Sequence, residues 1–161
     1  MVLSGHDLEF SQDDHCLPPD KIALVNEVCD RTGAAIVVSS TWRMNDEAID
    51  QLRAAGLRAF HPDWRTARGK RSGNSYVEGT RGDEIADWLR DHPEVSSTCY
   101  AIVDDEEGML PDQIPQFVRT TFATGLDRSN VEQLVHCLNR TVRTDGLGWA
   151  HPQESPIGRQ R

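Results

Sequence analysis

In "YAIVDDEEG", Tyr100 to Gly108, four apolar or aromatic residues run straight into two adjacent aspartates, Asp104 and Asp105, with two glutamates behind them. Burying neighbouring carboxylates is costly unless positive charge meets them. A hard divalent cation would cancel their repulsion, and Mg²⁺ is usually held by one or two carboxylates, with water and substrate phosphate completing its shell. The same residues also suit a solvated acidic turn. A second cluster is "VVSSTWR", where Ser39, Ser40 and Thr41 follow an apolar run and Arg43 comes shortly after. Hydroxyls and backbone N–H groups at a strand end can cradle phosphate oxygens, and an arginine can grip them in a fork. A plain polar loop satisfying its own backbone is the alternative.

The third feature is cationic. Residues 61–81 carry Arg65, Arg68, Lys70, Arg71 and Arg81 against Asp63 and Glu78, a net +3 inside a chain of net −9. Such a segment suits a phosphorylated ligand such as a polynucleotide end, with Trp64 and Tyr76 available to stack on a base. It equally suits a solvated loop. Arg81 differs from the rest because it opens a helix, where the dipole disfavours a cation. Some other reason must hold it there.

Elements that would position these residues are legible in the hydrophobic pattern. "DKIALVNEVCDRTG" puts Ile22, Val25, Val28 and Cys29 on one helical face, with Gly33 at the C-cap. "AAIVV" and "CYAIV" lack alternation, as strands covered on both faces do, and "QFVRTT" is a third strand. "LRAF" reads as a short strand and 61–80 as a long loop. Helices are expected over "DEAIDQLRAAG", "RGDEIADWLRDH" and "DRSNVEQLVHCLNRTV", the last capped by Asp127 or Ser129. Strands alternating with helices imply an α/β sandwich on a parallel sheet, with ligands bound beyond the strands' carboxyl ends. That is where both polar clusters fall.

The 161 residues fit one domain, expected over 1–143, with a Gly- and Pro-rich tail over 144–161 expected to be loose. The net charge excludes the bulk signature of a nucleic-acid coat or a membrane-surface protein. No apolar stretch approaches membrane-span length, and Cys16, Cys29, Cys99 and Cys137 show no CxxC spacing. The expectation is a cytoplasmic protein with free thiols and no membrane partner. The sequence leaves the oligomeric state open.

In this order, "TGAAIVVSSTWR", "RGDEIADWL", "YAIVDDEEG" and "FVRTTFATGL" resemble the haloacid dehalogenase-like (HAD) phosphohydrolase superfamily. They are most similar to its small domains associated with nucleic-acid repair and polynucleotide phosphatases. The resemblance implies a Rossmann-like three-layer sandwich and an Mg²⁺-dependent phosphatase. It implies that Ser39 binds the transferring phosphoryl group and that Ser40 and Arg43 assist. Arg81 would stabilise charge shared by nucleophile and phosphate, and Asp104 and Asp105 would hold Mg²⁺. Ser39 and Arg81 are thus the expected catalytic residues.

One departure is serious. The family opens on a hydrophobic strand ending in Asp-x-Asp-Gly, whose first aspartate attacks phosphorus. This chain begins "MVLSGHDLEF", with no Asp-x-Asp, and Thr121 stands where relatives often carry an acid. The central first strand is therefore expected to be missing, leaving unpaired inner edges. The flanking strands would close up, another segment or chain would fill the slot, or the natural protein would start upstream; the last is favoured. As written, the chain is expected to lack phosphatase turnover. The alternatives are a non-catalytic phosphate- or nucleic-acid-binding module and an unstable fragment.

Overall fold

The computed structural model describes residues 1–3, 18–95 and 100–142. Residues 4–17, 96–99 and 143–161, among them Cys16, Cys99 and the 144–161 tail, lie outside the described residues.

Among the described residues the strands and α-helices follow one another as β1 (Val2–Leu3), α1 (Pro19–Thr32), β2 (Ile36–Val38), α2 (Ala48–Ala54), β3 (Phe60–Arg65), β4 (Lys70–Ser72), β5 (Ser75–Val77), α3 (Arg81–Asp91), β6 (Ile102–Asp104), β7 (Phe117–Arg119) and α4 (Arg128–Val142). Five strands form a sheet in the order β3-β2-β1-β6-β7, and every pairing in it is parallel. The chain winds outward from β1 in both directions, so the edge between β2 and β6 is a topological switch point.

The expected absence of the central strand is corrected. Val2–Leu3 occupy that position, with Leu3 opposite Val38 on one side and Val103 on the other. Two residues suffice because β2 and β6 are themselves only three long. The ladder is extended by Met1, whose nitrogen donates to the Ala35 carbonyl at 2.7 Å and whose carbonyl accepts from Val37 at 2.9 Å. Met1 is buried in the main core. The inner edges of β2 and β6 thereby find partners, which removes the cost of leaving them bare.

Alternate residues of the central strands enter two separate apolar clusters. Ile36, Val38, Ala101 and Val103 join Val25, Val28 and Leu134 from α1 and α4. Val37 and Ile102 join Ile85 and Trp88 from α3 with Tyr100. Helices therefore cover both faces, the reason these strands read as unbroken apolar runs. Helix α1 ends at Gly33 with φ 72°, in the left-handed region where glycine carries no steric penalty. Asp127 caps α4 by accepting from the Asn130 N–H at 2.9 Å.

The segment expected as one long loop is more ordered than that. Strand β3 continues to Arg65, and β4 and β5 form an antiparallel hairpin whose tip is Gly73–Asn74. Gly73 has φ 60°, as two-residue hairpin turns require at their first central position. The hairpin sits directly before α3 and packs its first strand on that helix.

Candidate functional site

Three elements deliver the polar clusters to one rim. Ser39 follows Val38 at the end of β2, and Asp104 follows Val103 at the end of β6. Val38 and Val103 both pair with Leu3, so the two residues lie one row further along, on either side of the central strand. The span across β1 is two strand spacings, about 10 Å. Ser39 and Asp104 have no exposed surface, and Ser40 is buried beside them.

Arg81 reaches this rim from the first residue of α3. Thr80 caps the helix by accepting from the Asp83 N–H at 3.2 Å, while the Asp83 carboxylate accepts from the Thr80 N–H at 3.0 Å. This capping box fixes the helix start and hence the origin of the Arg81 side chain. A cation at a helix N-terminus is disfavoured, and three carboxylates offset it. Arg81 lies 3.5 Å from Glu84, 3.7 Å from Asp104 and 3.9 Å from Glu106. Its Nε is buried without a hydrogen-bond partner. A guanidinium surrounded by acids at ion-pair distance, with a donor to spare, can take an incoming oxyanion.

The acidic pair is divided in character. Asp104 Oδ1 accepts from the Glu106 N–H at 3.0 Å. Burial pushes its carboxyl up to about 6, opposed by that hydrogen bond and by Arg81, and reinforced by Glu106 and Asp105. Asp105 Oδ1 is buried with no hydrogen-bond partner. An orphaned carboxylate oxygen next to a fully buried carboxylate is a donor set that fits a hard cation. Among the described residues no group of three His, Cys, Asp or Glu side chains gathers to hold one. Protein ligands would therefore number two, with the rest of the shell left to water and phosphate.

Arg43, expected to grip phosphate, makes its hydrogen bonds within the protein. It sits in a 3-10 turn, Thr41–Met44, and its side chain is 7% exposed. Its Nη2 donates to both oxygens of Glu84 at 2.8 Å, and its Nη1 donates to the Ser40 carbonyl at 2.9 Å. Both outer nitrogens are thus committed inside the protein, leaving only Nε without a partner. Burial pulls its pKa down and Glu84 works against that.

Glu84 is the residue that sequence reading missed. Besides Arg43 it approaches Arg81, and it accepts from the Gly69 N–H at 2.7 Å, tying the hairpin segment to the rim. The signal was present: Arg81, Glu84, Ile85 and Trp88 share one helical face by spacing, and an acid on an inward face needs a partner. Gly82 is the second. A Cβ there would come within 2.7 Å of the Gly108 carbonyl, the Leu110 nitrogen and Gln113 Oε1. Only glycine lets α3 lie this close to the chain that follows the acidic pair. Buried Gln113 fastens the contact, donating to the Gly82 carbonyl and accepting from the Leu110 N–H, both at 2.9 Å.

A cavity of about 310 Å³ is lined by Arg43, Thr80, Arg81, Glu84 and Glu106, but not by Ser39, Ser40, Asp104 or Asp105. The remaining cations of 61–81 are largely spoken for. Arg65 pairs with Asp46 at 2.6 Å, Lys70 with Asp83 at 3.1 Å, and Arg71 with Asp91. The net positive charge of that segment is met by acids from elsewhere, so it is no open basic patch. Thr121 forms a turn: its hydroxyl accepts from the Thr124 N–H at 3.2 Å.

Among the described residues no helix is long and apolar enough to cross a membrane. No curated protein and no solved structure matches the chain. One family model does, over residues 4–131, described as the HAD domain in Swiss Army Knife RNA repair proteins. With most of its 161 residues matched, the chain belongs to that family of HAD domains.

Proposed function

We propose that the rim between β2 and β6 binds a phosphate group together with Mg²⁺, and that the chain as written does so without turning over phosphate esters. The observation that carries this reading is Arg81 Nε, buried without a hydrogen-bond partner and 3.7 Å from Asp104. Asp104 and Asp105 would hold the cation, Arg81 would meet the phosphate oxygens, and Ser39 and Ser40 would contribute from the opposite strand end. When bound, Mg²⁺ would supply charge neutralisation between the acids and the phosphate. Arg43 acts from behind, keeping Glu84 and therefore Arg81 in place.

The absence of turnover follows from the sequence after β1. Leu3 is followed by Ser4, Gly5, His6 and Asp7, and no Asp-x-Asp occurs in the chain, so the covalent step has no aspartate in the family's position. Strand order and the two covered faces support a Rossmann-like three-layer arrangement. The family's description, naming RNA repair, supports a nucleic-acid end as the phosphorylated ligand. Cys29, which forms no disulfide, suits a cytoplasmic setting.

A second reading, a working Mg²⁺-dependent phosphohydrolase, is favoured by family membership alone. One pair of assays separates them. Titration calorimetry should detect Mg²⁺ binding to the chain, while a generic aryl phosphate with Mg²⁺ should not be hydrolysed. Hydrolysis that disappears in Asp104→Asn would establish the second reading, and no Mg²⁺ heat in the wild type would remove the metal from the first.

A further inference from the structure

We infer that the cleft between the β4–β5 hairpin and α3 is a nucleoside subsite, taking the terminal base and ribose of the ligand whose phosphate sits at the rim. This rests on the proposed phosphate site and adds the class of group attached to the phosphate. The cleft encloses about 420 Å³ and is walled by Trp64, Trp88, His92 and Tyr76, with Arg65 and Arg71 beside the rings. That volume lies in the range of small-molecule sites, and the charged Asp63, Arg65, Arg71, Glu84, Asp87 and Asp91 share its walls with the rings.

Tyr76 is 47% exposed although it stands on a short, fixed hairpin. Its ring is braced rather than loose. The Arg71 guanidinium lies 5.9 Å from the ring centroid and its Nη2 donates to the Tyr76 hydroxyl at 3.3 Å. Arg71 is itself clamped, its Nη1 donating to Asp91 at 2.8 Å and its backbone N–H to Asp87 at 2.5 Å. A ring backed by a cation and open to solvent is a platform on which a base stacks, whatever its identity. Trp88 and His92, which also line the cleft, stack on each other at 3.8 Å. His92 is held by Asp63 at 2.9 Å and by the Trp88 carbonyl at 2.7 Å.

Charge decides which part of a nucleotide belongs here. Asp63, Asp87 and Asp91 line the cleft with Arg65 and Arg71, and those arginines are already paired with acids. A phosphodiester would be repelled. The amino and N–H edges of a base would find carboxylate lone pairs that remain after the internal bonds are made. Between this cleft and the rim lies a third cavity, of about 530 Å³, lined by Arg68, Gly69, Tyr76, Gly79 and Glu84. It shares Tyr76 and Glu84 with the cleft, and Gly79 and Glu84 with the rim cavity. The three cavities are thus linked in series by shared lining residues, the route along which the ligand would run from phosphate to base.

The test uses adenosine, which has no phosphate, and inorganic phosphate, which has no base. Adenosine should quench the fluorescence of Trp64 and Trp88. Tyr76→Ala should weaken it about tenfold, the usual scale for one stacked base, and Tyr76→Phe should stay within about twofold of wild type. Calorimetric binding of inorganic phosphate should be unchanged in both variants. Adenosine that fails to bind, or binds Tyr76→Ala as well as wild type, overturns the subsite while leaving the phosphate site standing. Tyr76-dependent adenosine binding without any phosphate binding does the reverse, sustaining the subsite and removing the rim site.

Discussion

The two faces of the sheet handle charge in opposite ways. On the α1/α4 face a large apolar cluster fills the interior, and ion pairs stay outside it. Arg31 reaches Glu132 through two hydrogen bonds, at 2.6 and 2.8 Å, and Glu27 meets Arg128, all at the surface. On the α3 face the buried apolar cluster is only Val37, Ile85, Trp88, Tyr100 and Ile102. Arg43, Glu84, Asp87 and Gln113 take up interior space beside it. The difference teaches where removal of a side chain will hurt. An exposed pair loses modest Coulomb energy in water, whereas one partner of a buried pair leaves the other stranded. The α3 face carries that cost at the same rim where Arg81 approaches Asp104 and Glu106.

Variants rank the contrast. Glu84→Gln should be the most damaging, because Arg43 would keep its burial and lose its counter-charge; about 3–5 kcal/mol is expected in denaturant unfolding. A cost below 1 kcal/mol would mean that the two faces do not differ. Gly82→Ala should follow at about 2–3 kcal/mol, since the added methyl meets two backbone atoms that cannot step aside.

Asp104→Asn should act in the opposite direction. The folded pKa of about 6 lies above the ordinary value of 3.8. The folded chain therefore holds the proton more tightly than the unfolded one. The resulting stability is present below about pH 4 and is lost as pH rises through about 6. Asparagine removes that dependence. Without Mg²⁺, melts should show the variant about 3 kcal/mol more stable than wild type near pH 7.5 and little changed at pH 4. A stability profile as steep in the variant as in wild type would place the titrating group elsewhere. Glu132→Ala, on the other face, should leave the melts close to wild type, with any difference fading in high salt.

Periodicity made the helices and the flanking strands legible, because α1, α3 and α4 carry strong apolar faces and β2 and β6 are unbroken apolar runs. Two features escaped for physical reasons. The described part of strand β1, Val2–Leu3, is too short to show a pattern; what creates it is the demand of β2 and β6 for a partner, a tertiary effect. Arg43 looked like a phosphate grip because its residue type is right, but type does not reveal the partner. Its partner, Glu84, is 41 residues away in sequence and was hidden within a helix read only for its apolar positions. The convergence of Arg81 on Asp104, by contrast, was foreshadowed by an arginine placed against the helix dipole. A local rule broken without local compensation pointed to compensation from afar.

The central claim is that Arg81, held against Asp104 by Glu84, is the group that meets a phosphate at the sheet rim. Calorimetric titration of inorganic phosphate in the presence of Mg²⁺, comparing wild type with a correctly folded Arg81→Ala, tests it most directly. Saturable binding in the wild type and at least a tenfold loss in the variant is the predicted result. Equal affinity in the two proteins, or no binding to either, would contradict it.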